Sequence, residues 1–130
     1  MDNIIQIKQL VKDYQGAIHT QEEKAFRQLW TCEDNNTLIS ISKKYEGIES
    51  IYKDFLINGI QKTYKKIDLI TDDINIHFVN EEIAIVIFQY HTECIKRDTL
   101  EEYGIEGLET QVVQKVNNEW KLVHIHYSKV

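Results

Sequence analysis

Residues 108–127 decide the fold: Leu108-Glu109-Thr110-Gln111-Val112-Val113-Gln114-Lys115-Val116-Asn117-Asn118-Glu119-Trp120-Lys121-Leu122-Val123-His124-Ile125-His126-Tyr127. Two runs rich in β-branched and aromatic residues flank an Asn-Asn pair. Such runs suit a pleated, half-buried surface, and asparagine tolerates the positive φ that a tight hairpin turn demands. An antiparallel hairpin is expected. With a two-residue turn, Lys115 faces Trp120, Val113 faces Leu122, Gln111 faces His124 and Glu109 faces His126, all on one side of the sheet. The other side then pairs Val112 with Val123, Thr110 with Ile125, and Leu108 with Tyr127.

Working upstream, residues 67–79 and 83–95 carry the same signature around Asn80-Glu81. A two-residue turn there pairs Phe78 with Ile83, Ile76 with Ile85 and Ile74 with Ile87, and that face continues through Gln89, His91 and Glu93. Val86, Phe88 and Tyr90 fall on the opposite face with His77. The first half is different. Ile4, Ile7, Leu10, Val11, Tyr14 and Ile18 recur at helical spacing. Thr20-Gln21-Glu22-Glu23 reads as a capping box opening a second helix over Ala25, Phe26, Leu29 and Trp30. Asp34-Asn35-Asn36 marks a turn, and residues 37–42 form a short strand. Gly47 precedes a third helical stripe of Ile48, Ile51, Tyr52, Phe55 and Leu56, ending near Gly59 or Lys62. Helices followed by a meander of strands predict an α+β fold with an antiparallel sheet.

The chain of 130 residues shows no linker, repeat or change in composition, so one domain over 1–130 is expected. Its 15 basic and 21 acidic residues give a net charge of −6. That balance excludes a general nucleic-acid binder and a polybasic membrane binder. There is no signal-peptide pattern and no apolar run of about 18 residues, so neither a membrane span nor export is expected. Cys32 and Cys94 form no CxxC motif and read as free thiols in a reducing cytoplasm. No phosphate-binding glycine loop, nucleophile elbow or dinucleotide fingerprint is present.

Both faces of the sheet are apolar along much of their length, whereas three helices cover only one. The bare face calls for a homodimer, sheet against sheet, through Val86, Phe88, Tyr90, Val112, Val123, Ile125 and Tyr127. The helix-covered face is expected to join an apolar floor to a polar end of Gln89, His91, Gln111, His124 and His126, the usual make-up of a small-molecule pocket.

The Tyr45-Glu46-Gly47-Ile48-Glu49-Ser50-Ile51 segment opens a helix, and the meander closes on Trp120-Lys121-Leu122-Val123-His124-Ile125-His126-Tyr127-Ser128. Over nearly its whole length the chain thereby resembles the SnoaL-like branch of the nuclear transport factor 2-like superfamily, which includes ketosteroid isomerase homologues. Its closing strand also resembles that of the association domain of calcium/calmodulin-dependent kinase. The resemblance implies a cone-shaped fold, a curved antiparallel sheet wrapped around about three N-terminal helices, with a pocket in the cone and frequent dimers. At the positions matching the association domain's cavity arginines this chain has Ile87 and Gln111.

The expected ligand contacts are Trp30, Tyr45, Ile87, Gln89, His91, Gln111, His124 and His126, and the expected partner is a small hydrophobic or amphipathic molecule. No cofactor is expected. His124 and His126, two apart on one strand, leave several readings open. They orient the last strand, bind a ligand, move protons together with His91, or hold a metal with His91 or Glu93 as a third ligand. No resident metal is expected. Glu93 and Glu109 are expected to be solvated at the cone's mouth, and would act as bases only if buried. The glycine-bearing connection 98–109 is expected to form a mobile flap. Three functional classes follow: a dimeric binding protein, an isomerase, cyclase or dehydratase acting on an apolar carbonyl compound, and a non-catalytic assembly module.

Overall fold

The computed structural model describes residues 2–130. Asp2 opens the first helix, α1 (Asn3–Thr20), its carboxylate accepting from the Ile4 amide at 2.9 Å. The helix buries the predicted stripe, with Ile7, Leu10, Val11, Tyr14 and Ile18 facing inward and Ala17 added to them. It ends where Gln21 turns left-handed (φ 59°) and donates its amide hydrogen to the Ala17 carbonyl. α2 (Glu23–Gln28) follows at once. The expected capping box does not form. Thr20 is still part of α1, and its hydroxyl accepts weakly from the Glu22 amide, not from Glu23. Strands β1 (Thr37–Ile39) and β2 (Lys44–Glu46) pair antiparallel, and α3 (Gly47–Ser50) continues as a π-wound helix over Ile51–Gln61. Fully buried Asn36 ties this region together. Its side chain holds Thr31 through bonds of 2.8 and 2.9 Å, and its carbonyl accepts from Gly47.

The rest is sheet: β3 (Tyr64–Phe78), β4 (Ile83–Lys96), the short β5 (Glu102–Tyr103), β6 (Glu106–Val116) and β7 (Glu119–Lys129). The order is β2-β1-β7-β6-β4-β3, with β5 on β4. Among the strands of the described residues only β1 and β7 pair in parallel, a pairing the sequence does not announce. The Asn117-Asn118 turn is as expected, both residues having positive φ (51° and 64°). Helices α1 and α2 and the π-wound segment pack into one side of the curved sheet. Their side chains form a single cluster with Ala84, Val86, Phe88, Val113, Leu122 and Ile125.

Two one-residue register events reverse half of the expected faces. The β3–β4 connection is a four-residue loop, with Asn80 Oδ1 accepting from the amides of Glu82 and Ile83. Phe78 therefore opposes Ala84, Ile76 opposes Val86 and Ile74 opposes Phe88. On β4 it is Ala84, Val86, Phe88 and Tyr90 that enter the core. Ile83, Ile85, Ile87, Gln89 and His91 turn outward, His77 with them opposite Ile85. The second event is a bulge in β7. Val113 still faces Leu122, but Val112 faces His124, leaving Val123 as the extra residue. Gln111 then opposes Ile125 and Glu109 opposes Tyr127. His124 and His126 point away from the helices, opposite Val112 and Thr110. The expected dimer residues Val86, Phe88, Tyr90 and Ile125 are thus core residues of one chain. No helix among the described residues is long and apolar enough to cross a membrane.

Candidate functional site

The interior of the cone holds a narrow cavity of about 80 Å³. Its wall is mostly apolar, from Ile18 on α1, Phe55 on the π-wound segment and Ile67 and Leu69 on β3. Ile41 and Ile105, from the turn after β1 and the β5–β6 connection, line it as well. Against that wall stand five acidic or phenolic groups, Tyr14 of α1, Tyr64 of β3, Tyr90 of β4, Glu109 of β6 and Tyr127 of β7. Alternation along three neighbouring strands brings the last three to one face. Glu109 lies directly opposite Tyr127 on one side and Phe88 on the other, and Tyr90 is opposite Gly107.

Glu109 is 1% exposed and is the only acidic or basic side chain buried among the described residues. Burial pushes its carboxyl up to about 8, while the hydrogen bond from Gln111 Nε2 to its Oε2, at 2.6 Å, pulls the other way. Gln111 is fully buried, and its Oε1 has no partner. Burial and the neighbouring Glu109 charge raise the phenols of Tyr14, Tyr90 and Tyr127. Burial raises the Tyr64 phenol as well, so at neutral pH all five groups hold their protons predominantly, and the cavity presents hydrogen-bond donors without a formal charge. Among the described residues no lysine, arginine or histidine lines it. A larger depression between α1 and α2 is open and lined by surface polar residues such as Gln9, Lys12 and Glu119.

The expected site residues are dispersed. Gln111 is on the cone face, beside Glu109. Ile87 and Gln89 are exposed on the outer face. His91 is also outside, paired through Nδ1 with the Asp72 carboxylate at 2.9 Å. His124 is half-buried on the outer face, its Nδ1 2.5 Å from the Thr37 hydroxyl. Desolvation and the adjacent His126 push the His124 imidazole below its usual range. His126 is exposed, its ring centroid 6.5 Å from that of His124. The histidines therefore supply no group to the cavity, and the proton-transfer role expected of them has no geometric basis there. Among the described residues no group of three metal-ligating side chains exists. Trp30 is buried against Phe26, with its Nε1 unpartnered, and does not line the cavity. Tyr45 packs edge-on to Phe55 behind the cavity wall. Glu93 is exposed as expected, but Glu109 is not. The 98–109 connection is stitched to β4 through Cys94–Tyr103 pairing and Thr92–Ile105 hydrogen bonds, so it is no free flap.

Sequence reasoning missed all four tyrosines. Tyr14 was legible only as a core residue, and Tyr90 and Tyr127 fell on the wrong side of the sheet. The available signal was Glu109 itself, an acid at an inward-facing position between apolar strands.

A family model described as the SnoaL-like domain matches residues 7–130. The chain belongs to the SnoaL-like domain family. Its fold is that of the nuclear transport factor 2-like superfamily. A superfamily protein of this kind from Salmonella enterica serovar Typhimurium superposes with a TM-score of 0.89 at 27% identity, over 95% of this chain and 87% of that one. The hexachlorocyclohexane dehydrochlorinase LinA-type3 from Novosphingobium barchaimii superposes at 0.84 with 14% identity, over 96% and 84%. A cystatin-like-fold protein from Caulobacter vibrioides superposes at 0.82 with 13% identity, over 98% and 89%. The last two likenesses are of fold alone. No curated protein matches the chain. The SnoaL-like cone of this chain has an acid-and-phenol interior.

Proposed function

We propose that this SnoaL-like protein binds a small, neutral, largely apolar molecule bearing a carbonyl or similar oxygen acceptor. The observation that carries the reading is Glu109, buried in an apolar cavity lined by four phenols and, among the described residues, by no cation. A buried, uncharged donor set favours a neutral acceptor. A carboxylate ligand would meet no compensating positive charge and would suffer the cost of desolvation. The cavity volume of about 80 Å³ is small, room for about three water-sized groups at ~30 Å³ each, so only a compact ligand of few heavy atoms fits. Calorimetric titration with small cyclic ketones and their carboxylate analogues tests this. The ketones should bind, the carboxylates should not, and Glu109→Ala should weaken ketone binding. Uniform failure of the ketones, or preference for the acids, overturns it and favours the assembly-module reading.

A second reading is proton transfer on such a ligand. The carboxyl of Glu109 titrates near 8, so both of its forms are populated close to neutral pH. Its carboxylate form would take a proton from the carbon next to a carbonyl while the phenols donate hydrogen bonds to the resulting enolate oxygen. A dehydrochlorinase with this fold supports the view that the cone can house a proton abstraction. Deuterium exchange at that carbon in heavy water, lost in Glu109→Gln, is the expected result.

The outer sheet face supports a homodimer through a residue set that keeps Val112 from the one first expected and otherwise differs from it. Ile85, Ile87, Leu108 and Val112 alternate outward on adjacent strands, with Ile87 37% and Leu108 44% exposed. Two unpaired thiols, Cys32 and Cys94, accord with a cytoplasmic setting.

A further inference from the structure

We propose that Gln111 is a positioning residue that selects which oxygen of Glu109 carries the acid proton. The proposal rests on the reading of Glu109 as the cavity's ligand-facing acid. Both residues project from the same face of β6, two positions apart, and both are essentially inaccessible. Gln111 Nε2 lies 2.6 Å from Glu109 Oε2. An amide N–H needs a lone pair, and a hydroxyl oxygen is a poorer acceptor than a carbonyl oxygen. In the neutral acid Oε2 is therefore the carbonyl oxygen and the proton resides on Oε1. Oε1 is left as the oxygen free to donate to a ligand in the cavity.

The orphaned Oε1 of Gln111 fixes what is at stake. Were the amide turned over, its oxygen would meet Glu109 Oε2 and require the proton there. The hydroxyl would then be consumed by Gln111, and only a carbonyl oxygen would be left to face the ligand. The two orientations of one amide thus make Glu109 a donor or an acceptor toward the cavity. The other groups around the acid are Tyr14 from α1, Tyr90 from β4 and Tyr127 from β7, with Tyr64 from β3 and Cys94 also lining the cavity. None carries a positive charge that would override the amide.

Infrared difference spectroscopy at pH 6 reads this directly. The C=O stretch of protonated Glu109 is identified by its loss in Glu109→Gln. In Gln111→Met it should move to higher frequency, because the carbonyl oxygen loses its hydrogen bond. The carboxyl titration followed by ¹³C NMR should also rise, by about one pH unit or more, as the carboxylate loses a donor. If Gln111→Met does not fold, Gln111→Asn, whose amide is one methylene too short, supplies the same comparison. A band that stays in place in a folded variant overturns the proposal, since it means the carbonyl oxygen was never held by the amide. Ketone titrations separate the two claims. A shifted band without ketone binding defeats only the functional reading, while ketone binding with an unmoved band defeats only the role of Gln111.

Discussion

Gly107 lies beneath the phenol of Tyr90, its register partner across β4 and β6. A Cβ at Gly107 would stand 2.8 Å from the Tyr90 hydroxyl oxygen and nearer still to ring carbons. The missing side chain is what lets this ring lie across β6 toward Glu109. Tyr90 also stacks on Phe88 with ring centroids 4.8 Å apart, so the ring has little room to retreat. Gly107→Ala should cost about 1–3 kcal/mol through overpacking. Urea denaturation checks this, and a Tyr90→Leu change in the same background should recover part of the loss.

Glu109 gives stability a defined pH slope. Its folded value of about 8 lies above the ordinary carboxyl value of about 4.3 expected in the unfolded chain. Between those values the folded protein holds a proton that the unfolded chain has released. The contribution is therefore complete below the unfolded value and is lost as pH rises through the folded one, at about 1.4 kcal/mol per pH unit. Glu109→Gln should remove this decline. Urea midpoints at pH 5, 6, 7 and 8 decide it, and an equally steep decline in the variant would assign the slope to another group.

The histidines of β7 act outside the cone. The His124 ring bonds to Thr37 and so links the last strand to β1, its parallel neighbour. A double-mutant cycle of His124→Ala and Thr37→Val should give a coupling of about 1 kcal/mol. His126→Ala should leave the affinity for a cavity ligand unchanged, and a loss in calorimetry would place that ring in the site after all.

The outward-facing Ile87 and Leu108 lie diagonally across β4 and β6. Light scattering should return twice the 15.4 kDa chain mass for the unaltered protein. Replacing both residues by lysine should return a monomer with its helices and sheet intact. A monomer before any replacement removes the dimer.

Much of the fold was legible because its signals are local. The α1 stripe from Ile7 to Ile18, the Asn117-Asn118 turn and the β-branched runs of β4, β6 and β7 each reflect the conformational preference of a short segment. Gln111 and Glu109 could be placed on the cone face for the same reason, since β6 leads into a regular turn. The remainder of the site was not legible. Tyr90 is reached only through the four-residue loop after Phe78, and Tyr127 only through the bulge at Val123.

The amino-acid order alone determined that helices precede a meander, where the strands lie, and that an acid and an amide share one face of β6. Tertiary structure alone decided which side of β4 and of the end of β7 turns inward, that β1 joins β7 in parallel, and that Glu109 is shut away from water. In a pleated strand the face is a parity, so one unpaired residue inverts every side chain beyond it. A looped-out Val123 changes little in local propensity, yet it exchanges two histidines for Ile125 and Tyr127 in the interior. The environment that governs the Glu109 proton comes from helix and strands far apart in the chain, and no local pattern encodes it.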